Sequence, residues 1–183
     1  MALRACCLFA TALALRPVAP RRLSAVRLSV LPSTMPQAPV FNSGDSRPVI
    51  LYDGVCNFCN FWVNFVLDND PAPGRVRFAA LQSPLGRSLL ERSGRKADDI
   101  SSIVLVTKDD AYVKSDAVLR IGKLIDTKIP VAPAAGLAGL LPQALRDVTY
   151  DAIAANRYNF LGKRAVCRIT DEKQADRFLD GEL

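Results

Sequence analysis

Two cysteines separated by two residues are the part of the sequence best suited to chemistry. Cys56 and Cys59 lie in residues 53–59 (DGVCNFC), directly after an apolar run at residues 49–52. A thiolate on one cysteine can attack a disulfide, and the second cysteine can then resolve the mixed disulfide by attacking the first. The spacing therefore predicts two-electron dithiol–disulfide exchange, with Cys56 as the nucleophile and Cys59 as the resolving residue.

The surrounding pattern places this pair at the start of a helix. Asp53-Gly54 is a strong turn dipeptide, and after it Cys59, Val63 and Val66 recur at offsets of three and four. Cys56 is then at the helix N-terminus, where free amide groups and the helix dipole stabilise a negative sulfur. We expect Cys56 to be the more exposed and more reactive cysteine, with Cys59 one turn deeper.

Two other interpretations of the pair remain open. The cysteines could be structural, or they could form half of a metal site. Zinc prefers four ligands, and the presumed mature chain adds only Cys167, with no histidine anywhere. Asp53 could transfer a proton during exchange, or it could serve only the turn.

Composition limits the other functions that this chain could have. At 183 residues it is long enough for one domain with a substantial core. The absence of histidine excludes Cys-His and Ser-His catalytic pairs. The net charge is +6, but residues 1–47 contribute six arginines and one acid, so residues 48–183 are nearly neutral and give no argument for nucleic-acid binding.

The N-terminal region resembles a targeting segment. Residues 1–40 are rich in Ala, Leu, Arg and Ser, and the first acidic residue is Asp45, which is typical of a transit peptide. We predict a cleavable leader at 1–40 for a mitochondrion or chloroplast, a linker at 41–47, and one domain at 48–183. A secretory signal or a basic tail without an address are the alternatives. No apolar run is long enough to span a membrane.

Hydrophobic periodicity predicts an α/β domain. Alternation over residues 75–81 indicates a second strand, Ser83-Pro84 a helix start, and residues 103–113 a hairpin. Ser115 is predicted to cap the next helix. The order is β-α-β-α-β-β-α, with a parallel first crossover and therefore a mixed central sheet. Additional C-terminal helices follow, the last from Pro142 to about Leu161.

Several side chains outside the cysteine pair are candidates for support. Tyr150 and Arg157 share a face of the last helix, and Arg157 could favour the thiolate or anchor an acid. The apolar residues of that helix, Leu145, Val148, Ala152, Ile153 and Phe160, are predicted to face inward. Phe58 and Trp62 could form a substrate-facing surface, although core packing is the preferred interpretation for Trp62.

The sequence also resembles a known family. Residues 53–59 are similar to the Asp-Gly-x-Cys-x-x-Cys signature of the DCC family of thiol-disulfide oxidoreductases, residues 150–163 resemble its C-terminal motif, and Ser115-Asp116-Ala117 a third motif. The resemblance implies a thioredoxin-like fold and thiol-disulfide exchange, and it supports roles for Tyr150, Asn156 and Arg157. No bound cofactor is implied, and the partner would be a disulfide- or dithiol-bearing substrate.

One feature departs from the wider thioredoxin-like pattern. Thioredoxins and glutaredoxins carry a cis-proline before the third strand, facing the cysteines, whereas Ile100-Ser101-Ser102 occupies that position here. The usual mode of peptide binding is therefore in doubt. The alternative to a catalytic role is a non-catalytic redox-sensing or metal-binding module on the same fold.

Overall fold

The structure is a computed structural model that describes residues 40–42, 44–70, 73–125, 136–163 and 172–180. The predicted leader to residue 39, Cys167, and the prolines at 130 and 133 lie outside the described residues. Among the helices of the described segments, none is both long and apolar enough to cross a membrane.

A four-stranded mixed sheet forms the centre of the domain. The strands are β1 (Val49–Tyr52), β2 (Arg77–Ala80), β3 (Val104–Val106) and β4 (Ala111–Val113), arranged in the order β2-β1-β3-β4. β1 runs parallel to β2 and antiparallel to β3, and β3 pairs antiparallel with β4. The predicted mixed sheet, parallel crossover and hairpin are confirmed.

The helices complete the predicted order. They are α1 (Asn57–Asp68), α2 (Pro84–Arg92), α3 (Lys114–Leu124) and α4 (Gln143–Leu161), followed by a 3-10 helix at Glu172–Arg177. Read along the chain, the elements through α3 follow β-α-β-α-β-β-α. This is the α/β architecture of a thioredoxin-like fold, with helices added at the C-terminal side.

Apolar side chains cover both faces of the sheet. On one face, Ile50, Phe78 and Leu105 pack with buried residues of α1 and α3, and on the other, Leu51 and Val104 pack with residues of α2. Successive strand residues point to opposite faces, so a continuous apolar run such as 49–52 fills both layers. Each large side chain fully buried in this way contributes roughly 1.5–3 kcal/mol.

The start of α2 confirms its prediction, and the start of α3 differs from it. Ser83 caps α2, since its hydroxyl accepts a hydrogen bond from the Gly86 amide at 2.9 Å. Val113, by contrast, is the N-cap of α3 and makes no side-chain capping bond. The prediction that Ser115 caps α3 is wrong because this residue lies within the helix, where its hydroxyl bonds to Asp147.

The inward face predicted for α4 is also wrong. Leu145, Val148, Ile153 and Phe160 are all exposed, and no residue of this helix is buried. α4 packs against α1 and α3. Its hydrogen bonds to the rest of the domain come from Tyr150, Arg157 and Tyr158, while Phe160 packs on Phe58 at the edge of α1. Hydrophobic periodicity does not detect a face that is held mainly by such polar side chains.

Segments at both ends of the described chain pack onto the sheet. Val40 and Phe41 pack against the cluster that contains α2, so contacts begin upstream of the predicted domain start at residue 48. At the other end, Phe178 stacks on Phe78, and the Leu179 amide donates to the Phe78 carbonyl at 3.0 Å. This second contact covers the β2 edge of the sheet, which would otherwise expose unpaired backbone groups.

Candidate active site

The turn between β1 and α1 positions the two cysteines. Asp53 follows β1, and its carbonyl accepts a hydrogen bond from the Cys56 amide at 3.2 Å. Cys56 is the N-cap of α1, and its Sγ accepts a hydrogen bond from the Cys59 amide at 3.2 Å. The sulfur therefore occupies the position normally held by a capping oxygen, where a helix N-terminus favours negative charge. The predicted placement of both cysteines at the start of one helix is confirmed.

The predicted exposure of the pair is wrong. Cys56 is 0% exposed, whereas Cys59 is partly exposed. The reason is the chain that follows α4: Lys163 forms a backbone bridge with Cys56, and Asn57 bonds to the carbonyls of Gly162 and Leu161 at 3.3 and 2.9 Å. The helix periodicity placed Cys59 correctly on the side of Val63 but carried no information about what covers Cys56.

Burial and neighbouring groups separate the chemistry of the two thiols. Burial raises the pKa of the Cys59 thiol far above its usual value, and hydrogen bonding with Cys56 and the charges of Cys56 and Asp53 raise it further, while Arg157 opposes the change. Both sulfurs and a carboxylate oxygen of Asp53 lie within 4.8 Å of one another. The Cys59 thiol therefore holds its proton in the reduced pair.

Asp53 is the acceptor at the centre of the site. It is 3% exposed, and its Oδ1 accepts hydrogen bonds from the Gln82 amide group at 2.7 Å and the Val55 backbone amide at 3.3 Å. Its Oδ2 accepts from Tyr158 Oη at 2.5 Å and from Arg157 Nε and Nη2 at 3.3 Å each. Asp53 serves the turn through Val55 and also lies beside both sulfurs, and its role in proton transfer stays a prediction.

Arg157 reaches the site from α4 and pairs with the acid. Besides Asp53, its guanidinium donates to the Ile100 carbonyl at 3.1 Å and to Tyr158 Oη at 3.0 Å. Burial lowers the pKa of Arg157, but the hydrogen bond with Tyr158 and the charges of Tyr158, Asp53 and Cys59 outweigh it and raise the pKa overall. Of the two predicted roles, the contacts correspond to the anchor, and the effect of Arg157 on the thiolate stays a prediction.

The remaining predicted residues are placed differently. The Tyr150 hydroxyl accepts a hydrogen bond from the Ile103 amide at 2.8 Å, so this side chain ties α4 to the loop before β3. Asn156 is exposed, and its side chain bonds to Ala152 and Asn159 of the same helix. The structure does not bring Asn156 to the cysteines.

Two residues of the site were missed by sequence reasoning. Gln82 follows β2 and Asp53 follows β1, and the carboxyl ends of these neighbouring parallel strands meet at one edge of the sheet. That adjacency was a usable signal. Tyr158 directly follows Arg157 in the C-terminal motif. Adjacent residues of a helix point in different directions, so periodicity could not show that both side chains reach Asp53.

The geometry bears on the metal interpretation as well. Asp53, Cys56 and Cys59 could present three ligand atoms to a metal ion, and in the part of the chain that the structure describes they are the one such group. Both carboxylate oxygens are occupied by donors, including a guanidinium. A structural zinc site needs a fourth ligand, so this arrangement fits a metal less well than it fits a dithiol pair.

A cavity of about 280 Å³ opens beside Cys59. Its walls come from the sheet, α1, α3, α4 and the loop at residues 100–103, and they are mostly apolar. Trp62 is 46% exposed and lines this cavity together with Phe58. Core packing was therefore the wrong interpretation of Trp62, because Phe58 and Trp62 lie on the side of α1 that borders the cavity rather than on the side that packs on the sheet.

Comparisons with known proteins agree with this site. Residues 50–163 match the sequence profile of the DCC1-like thiol-disulfide oxidoreductase family. The chain is 47% identical over 129 residues to a DCC family protein of Arabidopsis thaliana described as chloroplastic, which covers 70% of this chain and 73% of the relative. It is 36% identical over 131 residues to the uncharacterized protein YuxK of Bacillus subtilis, covering 72% and 93% respectively. No solved structure matches the chain.

Proposed function

The chain belongs to the DCC1-like thiol-disulfide oxidoreductase family, and we propose that it is an enzyme that exchanges electrons with disulfide- or dithiol-bearing substrates through Cys56 and Cys59. The observation that carries this proposal is the asymmetry of the pair. Cys56 Sγ accepts a helix amide at 3.2 Å, while burial and the Cys56 side chain keep the Cys59 thiol protonated. Cys56 is therefore suited to attack the substrate first, and Cys59 to act later as the resolving thiol.

The proposed exchange has two steps. After residues 161–163 move off Cys56, its thiolate attacks one sulfur of a substrate disulfide, the substrate S–S bond breaks, and the departing sulfur takes a proton. Cys59 then loses its proton and attacks Cys56 Sγ, which closes the Cys56–Cys59 disulfide and releases the second substrate thiol. Asp53 is proposed to receive the Cys59 proton, because a carboxylate oxygen lies within 4.8 Å of that sulfur.

Arg157 and Tyr158 are proposed as positioning residues in this scheme. Both hold the same carboxylate oxygen of Asp53. They hold the carboxylate of Asp53 beside the sulfurs. They also neutralise part of its negative charge, which would otherwise oppose thiolate formation. Tyr150, on the same helix, ties α4 to the loop by accepting a hydrogen bond from the Ile103 amide.

An organelle, and specifically the chloroplast, is the proposed location. The arginine-rich, acid-poor composition of residues 1–40 is typical of a transit peptide. The Arabidopsis relative is described as chloroplastic. Mass spectrometry of the native protein should find an N-terminus between about residue 25 and residue 47, whereas an intact Met1 would contradict import with cleavage.

Dithiol-driven reduction of insulin tests the activity, and the Cys59→Ser variant tests the order of attack. The wild type should turn over, and Cys56→Ser should not. Cys59→Ser should retain a mixed disulfide on Cys56, which also captures the physiological partner for identification. The rival interpretation is a redox sensor or metal clip. It would be supported by stoichiometric metal in the purified protein together with absent turnover in the wild type.

A further inference from the structure

The cavity beside Cys59 has the properties of a small-molecule site. Small-molecule pockets span roughly 300–1,000 Å³ and combine apolar walls with a few polar groups, and this cavity, at about 280 Å³, is at the small end of that range. Four of its lining side chains, Trp62, Ile100, Val118 and Ile153, are also substantially exposed, so apolar surface continues from its interior to the solvent.

One buried polar atom points to a ligand. Ser102 is 4% exposed and lines the cavity, and its hydroxyl has no hydrogen-bond partner among the residues that the structure describes. Leaving a buried hydroxyl without a hydrogen bond is costly, so such groups usually have a partner. A ligand with one polar group near an apolar body would supply it.

The loop that borders the cavity is poorly suited to an extended peptide. A peptide strand would need free backbone groups to pair with, yet the Ile100 carbonyl already accepts from Arg157 and the Ile103 amide already donates to Tyr150. Both partners belong to α4, so this helix already uses the backbone groups of the loop. A compact ligand needs neither group.

Cys59 is the cysteine that this cavity presents. It lines the cavity and is partly exposed, whereas Cys56 is fully buried beneath the chain at residues 161–163. In the oxidised protein, a sulfur nucleophile arriving through the cavity would therefore meet Cys59 Sγ. The sulfur then expelled would be Cys56, whose negative charge the Cys59 amide stabilises, and a stabilised thiolate is the faster leaving group.

From these observations we propose that the cavity binds a small apolar dithiol, which reduces the Cys56–Cys59 disulfide by attacking Cys59. The inference rests on the proposed function and assigns the reductant of the same pair. A ligand thiolate bonds to Cys59 Sγ as the Cys56–Cys59 bond breaks, and Cys56 leaves as a thiolate. The second ligand thiol loses its proton and attacks the ligand sulfur of the mixed disulfide. Cys59 departs and takes up a proton, so the ligand becomes a disulfide and the protein a dithiol.

Reduction kinetics with two dithiols test the proposal. Dihydrolipoamide has an apolar arm, and dithiothreitol is a compact polar dithiol for comparison. The oxidised full-length protein is mixed with each, and formation of free Cys56 and Cys59 is followed. We expect saturation with dihydrolipoamide and a rate about tenfold above that of dithiothreitol at equal low concentration, as apolar pocket contacts give discrimination of this order.

Two matched variants locate the effect. Val118→Phe places a bulky ring at the rim of the cavity, where Val118 is 48% exposed. It should lower the ratio of the two rates by about tenfold. Val148→Phe makes the same change at a 67% exposed valine of α4 that does not line the cavity, and this ratio should stay at the wild-type value. Ser102→Ala should raise the dihydrolipoamide concentration needed for half-saturation.

Binding without exchange separates this inference from the proposed function. In the Cys56→Ser/Cys59→Ser variant, oxidised lipoamide should change the fluorescence of Trp62, the single tryptophan of the chain. If neither dithiol reduces the wild type but lipoamide still binds, the proposed function fails and the cavity remains an apolar binding site. If dithiothreitol works, lipoamide neither binds nor reacts faster, and Val118→Phe leaves the ratio unchanged, the cavity proposal is overturned while thiol exchange stands.

Discussion

Replacing Asp53 with asparagine should make Cys59 more reactive. The change keeps the shape of the side chain and removes a negative charge that lies within 4.8 Å of the Cys59 sulfur. That charge is one of the causes that raise the Cys59 pKa, after burial and the two contributions of Cys56. Removing it lowers the pKa of this thiol, so a larger fraction is thiolate at any pH below the wild-type pKa.

The size of the effect follows from the distance. Two unit charges 4.8 Å apart interact by roughly 3.5 kcal/mol at an effective dielectric constant of about 20, or roughly 2.5 pH units of pKa. Arg157 and three neutral donors already neutralise part of the Asp53 charge, which reduces the expected change to about 1 unit, or about tenfold in thiolate. Because a less basic thiolate is also a weaker nucleophile, the alkylation rate should rise about threefold.

The assay is alkylation resolved by peptide mass spectrometry in a Cys56→Ser background, where Cys59 titrates without its coupled neighbour. Rates for Cys59 are compared between pH 7 and pH 10 with and without Asp53→Asn. Asp151→Asn is the matched control, since this acid of α4 is 54% exposed and pairs with Lys114. A folded Asp53→Asn protein whose Cys59 reacts no faster than the control would refute the electrostatic argument.

Three further changes test the covering of Cys56 and the packing of the domain. Asn57→Ala removes a side-chain bond to the last turn of α4, so alkylation of Cys56 should be about threefold faster, and an unchanged rate would contradict this cover. Asp70→Asn leaves the guanidinium of Arg177, which is 3% exposed, without its carboxylate at 2.6 Å; urea unfolding should show a loss of about 3–5 kcal/mol. Gly86→Ala would place a methyl carbon 2.0 Å from a backbone oxygen at the end of β2, and thermal unfolding should show a loss of about 3 kcal/mol.

The sheet and the start of α1 could be predicted because local signals determine them. The apolar run at 49–52, the alternation before Leu81 and the Ser83 cap each specify one element, and all agree with the same order. The position of the cysteines at a helix start follows from the turn and from periodicity alone. These features need no knowledge of distant parts of the chain.

The exposure of the site could not be predicted for the opposite reason. What buries Cys56 is a segment more than 100 residues later, held by two backbone contacts and one side-chain bond of Asn57 that leave no mark in hydrophobic periodicity. The inward face of α4 was misjudged because its contacts are made by Tyr150, Arg157 and Tyr158 rather than by its leucines and valines. Periodicity detects apolar faces, and here the face that contacts the site is polar.

The two motifs, although distant in sequence, act on one carboxylate. The N-terminal motif supplies Asp53 and both cysteines, and the C-terminal motif supplies Arg157 and Tyr158, whose side chains meet Asp53 Oδ2. A buried carboxylate beside two sulfurs is costly without compensation, because its charge opposes every thiolate formed nearby. The C-terminal motif provides that compensation, and residues 161–163 at its end cover Cys56. Truncation before α4 would therefore remove both the charged partner of Asp53 and the cover of Cys56, so this one C-terminal segment controls the charge beside the sulfurs and the access to Cys56.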